Sequence, residues 1–122
     1  MIRRFWLAKV GGIEEIPGPE FYWMSDFDKW YPLYFYSLII NTENGYVIVG
    51  TGLVKDLTLR NEFMVKWSGR ETSKIIVRED ERIESVLRRL NLTPDDIAHV
   101  VITPVQDYTV GGLNLFKRAK IY

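Results

Sequence analysis

Residues Tyr36 to Gly52 read YSLIINTENGYVIVGTG. Apolar, mostly β-branched residues fill Leu38 to Ile40 and Val47 to Val49, and the dipeptide Asn44-Gly45 sits between them. Asn-Gly tolerates the positive φ angles of a tight hairpin turn, and β-branched side chains fit a pleated surface. The stretch therefore predicts a strand over Leu33 to Ile40, a turn at Glu43-Asn44-Gly45 and a second strand over Tyr46 to Val49. Gly50-Thr51-Gly52 ends the hairpin. It lacks the Gly-Lys-Ser/Thr that would follow in a phosphate loop, so a turn explains it better.

Toward the C-terminus, Ile83, Val86, Leu87 and Leu90 recur at helical spacing and predict a helix over Asp80 to Leu90. Glu79, Asp80 and Glu81 lie at its start and Arg88 and Arg89 at its end, which suits the helix dipole better than an acid–base pair would. Glu84 and Arg88 are expected to pair four residues apart. Thr93-Pro94-Asp95-Asp96 then begins one short turn. Ile97 to Thr103 is apolar except for His99, as in a strand covered on both faces, and His99 itself reads as a strand histidine. A Gly111-Gly112 turn, a short amphipathic piece and a strand over Ala119 to Tyr122 follow. Lys117, Arg118 and Lys120 form a solvated end rather than a nucleic-acid patch.

Toward the N-terminus, Arg3 to Val10 reads as a strand closed by a Gly11-Gly12 turn, and Glu14 to Pro32 as an irregular, ring-rich loop broken by Pro17, Gly18, Pro19 and Pro32. Trp23, Phe27 and Trp30 in that loop, with Asp107 and Tyr108 further on, form a possible binding surface. A short helix is expected around Leu57 to Phe63. The order of elements is mixed α/β, in one domain spanning residues 1–122.

Bulk properties narrow the function classes. Lys and Arg number 16, as do Asp and Glu, so no net field draws the chain to nucleic acid or anionic lipid. The absence of Cys excludes thiolate nucleophiles and Cys-ligated zinc, and a single His is fewer than zinc enzymes use. No stretch is long enough to span a bilayer, and the apolar run after Met1 is too short for a signal peptide, so a cytoplasmic location is expected.

Three segments in order resemble the metallo-β-lactamase superfamily, most nearly its N-acyl homoserine lactonase-like branch: YSLIINTENGYVIVGTG (36–52), ESVLRRLNLTPDDIAHVVIT (84–103) and TPVQDYTVGGLNLFKRAKIY (103–122). The resemblance implies an α/β fold, the N-terminal half of an αββα sandwich, with a mixed β-sheet carrying helices on one face. It also implies a metal-dependent hydrolase, whose signature reads Thr-His-x-His-x-Asp-His before a small residue and Gly-Gly. Placed residue by residue, the signature's three His fall on Pro104, Gln106 and Thr109 and its Asp on Tyr108. The Asp of the family's Asp-Thr-Gly falls on Gly50. None of these offers the imidazole or carboxylate that two metals need to generate a hydroxide. The expectation is therefore a metal-free, cofactor-free chain without catalytic residues, acting as a subunit with a protein partner or with copies of itself. The alternative is the non-liganding chain of a two-chain lactonase-like hydrolase. Half a sandwich leaves a sheet face that seeks cover.

Overall fold

The computed structural model describes residues 1–122. Its strands are β1 (Ile2–Pro17), β2 (Trp30–Thr42), β3 (Gly45–Val49), β4 (Ile75–Ile76), β5 (Ile97–Val101) and β6 (Lys120–Ile121). They form a mixed six-stranded sheet in the order β4-β1-β2-β3-β5-β6. The helices are α1 (Gly18–Phe21), α2 (Thr58–Ser68), α3 (Ile83–Arg89) and α4 (Asp107–Val110). No helix is long and apolar enough to cross a membrane. The chain divides into two compact units. The first holds Met1–Gly11, Phe35–Lys55 and Val77–Tyr122; the second holds Gly12–Tyr34 and Asp56–Ile76.

The hairpin centres the first unit. Leu38 opposes Val49 and Ile40 opposes Val47 across the antiparallel β2–β3 pair. β5 then pairs parallel with β3, and β6 parallel with β5. Register puts Ile39, Ile48 and Val100 in one row, and all three are fully buried. Ile83, Val86 and Leu87 of α3 are buried too, as their spacing requires. The helix ends at Arg89, and Asn91 just beyond it takes a left-handed conformation.

The opposite face of the same strands is different. Leu38, Ile40, Val47, Val49 and Val101 alternate with the buried row and are only half-buried, while Tyr36 is exposed. On β1, Phe5 and Leu7 are exposed between half-buried Trp6 and Ala8. The expectation that β5 is covered on both faces is thus met on one face only. Parallel strands are ordinarily covered on both.

Several local expectations need correction. Gly11-Gly12 is no turn: β1 runs through it to Pro17. A Cβ on Gly12 would lie 2.8 Å from the Leu33 carbonyl oxygen, so glycine there serves a close strand approach. Glu14 to Pro32 is largely regular: β1 occupies its start, α1 has Pro19 in its first turn, and β2 opens at Trp30. Helix α2 extends to Ser68, where Gly69 caps it with φ 70°. The segment Glu79–Glu81 is a separate 3₁₀ turn before α3. Glu84 pairs with Lys55 at 3.6 Å rather than with Arg88. Glu81 is buried, pairing with Lys9 at 3.2 Å and accepting the Arg78 backbone N–H at 3.0 Å.

In the second unit the Asn61 side chain of α2 clasps Ile75 of β4, donating to its carbonyl at 3.1 Å and accepting its N–H at 2.7 Å. Glu15 accepts from Arg70 at 2.9 Å and from the Thr72 hydroxyl at 2.7 Å. The loop between α1 and β2 is braced at its base. Gly18 N–H donates to the Lys29 carbonyl, Tyr31 donates to Asp26 at 2.5 Å, and the rings of Phe21, Tyr22 and Tyr31 cluster.

Candidate functional site

The first unit brings together the segments on which the resemblance would set metal ligands. Gly50 and Thr51 leave the end of β3 and meet the segment Pro104–Gly112. The Thr51 N–H and hydroxyl both donate to the Thr109 carbonyl, at 2.8 and 2.7 Å, and the Gly112 N–H donates to the Thr51 hydroxyl at 3.1 Å. This convergence needs glycine twice. A Cβ on Gly111 would lie 2.3 Å from the Val54 nitrogen, and one on Gly112 would lie 2.4 Å from the Thr51 carbonyl oxygen. Thr51 and Thr109 are both buried.

Thr109 closes the loop on itself. Its hydroxyl sits within donating distance of the Pro104 carbonyl (2.6 Å) and the Gln106 carbonyl (2.9 Å), and it accepts the Gln106 N–H at 3.1 Å. Tyr108 stacks on Phe35 with ring centroids 4.5 Å apart and planes 6° from parallel. Pro104 offers no side-chain donor atom, and Gly50 no side chain at all. A Cβ at Gly50 would meet only ordinary contacts, Ser37 Oγ at 3.7 Å and the Thr109 methyl at 3.8 Å. Ser37 Oγ is itself buried and has no hydrogen-bond partner.

The dinuclear metal centre that the resemblance implies does not fit this donor set. Its hydroxyl oxygens are neutral and Thr109's is committed to backbone groups, while a metal of this class needs imidazole or carboxylate ligands. No group of three or more His, Asp or Glu side chains is arranged so that it could hold a metal ion. His99 lies on β5, with its Nδ1 3.3 Å from the Tyr122 hydroxyl.

The other candidates are spread over both units. Trp23 and Phe27 stand at the loop tip of the second unit, 89% and 69% exposed. Trp30 is withdrawn from that surface, since the Arg70 guanidinium lies 3.9 Å above its ring. Asp107 and Tyr108 belong to α4 of the first unit. Sequence reasoning missed Thr51 and Ser37. The doubled glycine at 111–112 was the available signal for Thr51, because it marks a backbone approach that some neighbour must meet. Beside this turn lies a cleft of about 320 Å³ whose charges are engaged. Arg82 donates to the Val54 and Lys55 carbonyls, and Lys55 pairs with Glu84.

The sequence matches no family model and no curated protein. Solved structures supply the class. The chain has the metallo-β-lactamase fold, in the form found in N-acyl homoserine lactone lactonases. One match is a quorum-quenching N-acyl homoserine lactone lactonase, 18% identical, with TM-score 0.77 over 99% of this chain and 45% of that one. A second is an N-acyl homoserine lactone hydrolase with the product N-hexanoyl-L-homoserine bound at its catalytic metal centre, 18% identical, TM-score 0.78, covering 99% and 48%. A third is the dizinc quorum-quenching lactonase AidC, 12% identical, TM-score 0.59, covering 96% and 40%. The chain thus spans somewhat under half the length of these structures.

Proposed function

We propose that this chain is a metal-free, non-hydrolytic form of the metallo-β-lactamase fold that works by association, its open sheet face covered by a second β-layer. The observation that carries the reading is Thr109. At a position that resembles a metal-ligand position, its only side-chain heteroatom is consumed by the Pro104 and Gln106 backbone. The incompletely buried face of Leu38, Ile40, Val47, Val49 and Val101 supports the associative part, because an apolar face that is open in part is a surface that proteins cover. A second layer is the chemically apt cover, since sheets pack face to face with interdigitating aliphatic side chains.

The test is hydrolysis. Purified chain in zinc-replete buffer is assayed against an N-acyl homoserine lactone, a β-lactam and a thioester, with no turnover above buffer expected. Turnover that a chelator abolishes would overturn the reading.

A second reading is favoured by the matched hydrolase, which holds product at a catalytic metal centre and is about twice as long as this chain. In that reading the covering layer brings every metal ligand, and this chain shapes the substrate side of a hydrolase. Activity that appears only when such a layer is present would favour it over the first.

A further inference from the structure

The second unit carries an apolar surface that its own packing does not use. Helix α2 buries Met64 on one side, yet Leu59, Phe63 and Trp67, four residues apart, remain 81%, 62% and 52% exposed. Such spacing places the three in one stripe along the helix. At the loop tip Trp23, Met24 and Phe27 are likewise exposed. The two patches share a rigid base: Arg70, just past the end of α2, stacks on Trp30 and pairs with Glu15, and the loop is pinned by the Gly18–Lys29 and Tyr31–Asp26 bonds.

We infer that this surface is a two-fold interface between copies of this chain, the loop of each lying on the α2 stripe of the other. Two observations select a second copy as the occupant. The first is charge. The loop segment 18–29 carries Glu20, Asp26 and Asp28 against Lys29, a net −2, and α2 carries Arg60 and Lys66 against Glu62, a net +1. Loop and helix therefore attract each other across a two-fold axis, where each contact is made twice. The second is area. At 150–250 Å² for a whole aromatic side chain, the six exposed side chains present on the order of 800 Å². Each partner of a standard-sized interface contributes about that much. The acidic loop speaks against an anionic membrane as the occupant. The interface uses no residue of the open sheet face, so the two surfaces stand or fall separately.

Sedimentation equilibrium of the whole chain over a dilution series is the test, with circular dichroism confirming that each variant is folded. A dimer is expected at micromolar concentration. Trp23→Ser and Phe63→Ser should each raise its dissociation constant about thirtyfold, as loss of an interface anchor does. Asp28→Lys and Lys66→Glu should each weaken the homodimer. Mixing those two variants should restore dimer, because one contact then has its charges exchanged and the other is native. Lys117→Ser, an exposed change on the first unit outside both surfaces, should leave the dimer unchanged. A monomer at all concentrations would overturn the interface, as would a dimer indifferent to all four loop and helix variants. Monomeric chain that sediments with neutral phosphatidylcholine vesicles would overturn it in favour of a lipid surface.

Discussion

Ser37 Oγ and the Thr109 methyl would lie 3.7 and 3.8 Å from a Cβ on Gly50, and the two residues are expected to respond oppositely to loss of a hydroxyl. Thr109→Val keeps the shape but leaves the Gln106 N–H without its acceptor and the Pro104 carbonyl without its donor. Because Pro104 and Gln106 are exposed and water can replace the lost partner in part, the cost should be about 1 kcal/mol, to be read as a lowered midpoint in urea unfolding. Ser37→Ala removes a hydroxyl that has no partner, so stability should hold or rise. Equal losses for the two variants would mean that Ser37 Oγ has a partner. The glycines give a parallel contrast. Gly112→Ala forces a Cβ to 2.4 Å from the Thr51 carbonyl and is expected to cost about 3 kcal/mol or more. Gly69→Ala meets open space and pays only for its positive φ, about 1 kcal/mol.

Among the elements, the hairpin and α3 were legible in the sequence because local chemistry determines them. Asn44-Gly45 makes the turn, and Ile83, Val86 and Leu87 define the buried stripe. The full lengths of β1 and β2 were not legible. Gly11-Gly12 and Pro32 are local breakers, and only pairing with neighbouring strands holds them extended. At the candidate site the resemblance pointed to Gly50, Pro104, Gln106, Tyr108 and Thr109 as the positions where metal ligands would be expected. The bonds that now join them, above all Thr51 to Thr109 across 58 residues, depend on tertiary approach. The same holds for Arg70 and Glu15. Glu15 is held below its ordinary value of 4.5, first by the Thr72 hydroxyl and then by Arg70. A depressed carboxylate stabilises the fold above its unfolded pKa, and that contribution is lost as pH falls through the folded pKa. Melting temperature should therefore decline as pH drops below about 4.5, and Glu15→Gln should show a shallower decline. An unchanged acid limb in that variant would remove Glu15 from the linkage.

At the scale of the whole molecule, two surfaces carry the proposed contacts: the sheet face of the first unit and the loop-and-helix surface of the second. Neighbouring residues of β5 test the first. Val100→Lys buries a charge in the closed row and should unfold the chain, whereas Val101→Lys should cost about 1 kcal/mol or less, as a tolerated surface change does. If the two were equally damaging, the face would already be covered within the chain. Combining Pro104→His, Gln106→His, Tyr108→Asp and Thr109→His is expected to destroy the loop's own bonds without creating turnover, since position 50 still lacks a carboxylate. The central proposal, that hydroxyl and backbone bonds rather than a metal close the loop Pro104–Gly112, is tested most directly by thermal unfolding of the wild-type chain titrated with zinc. A ligand that binds only the folded state raises the melting temperature by mass action. No shift is expected up to a large molar excess of zinc, and a rise that saturates at one or two equivalents would contradict the claim.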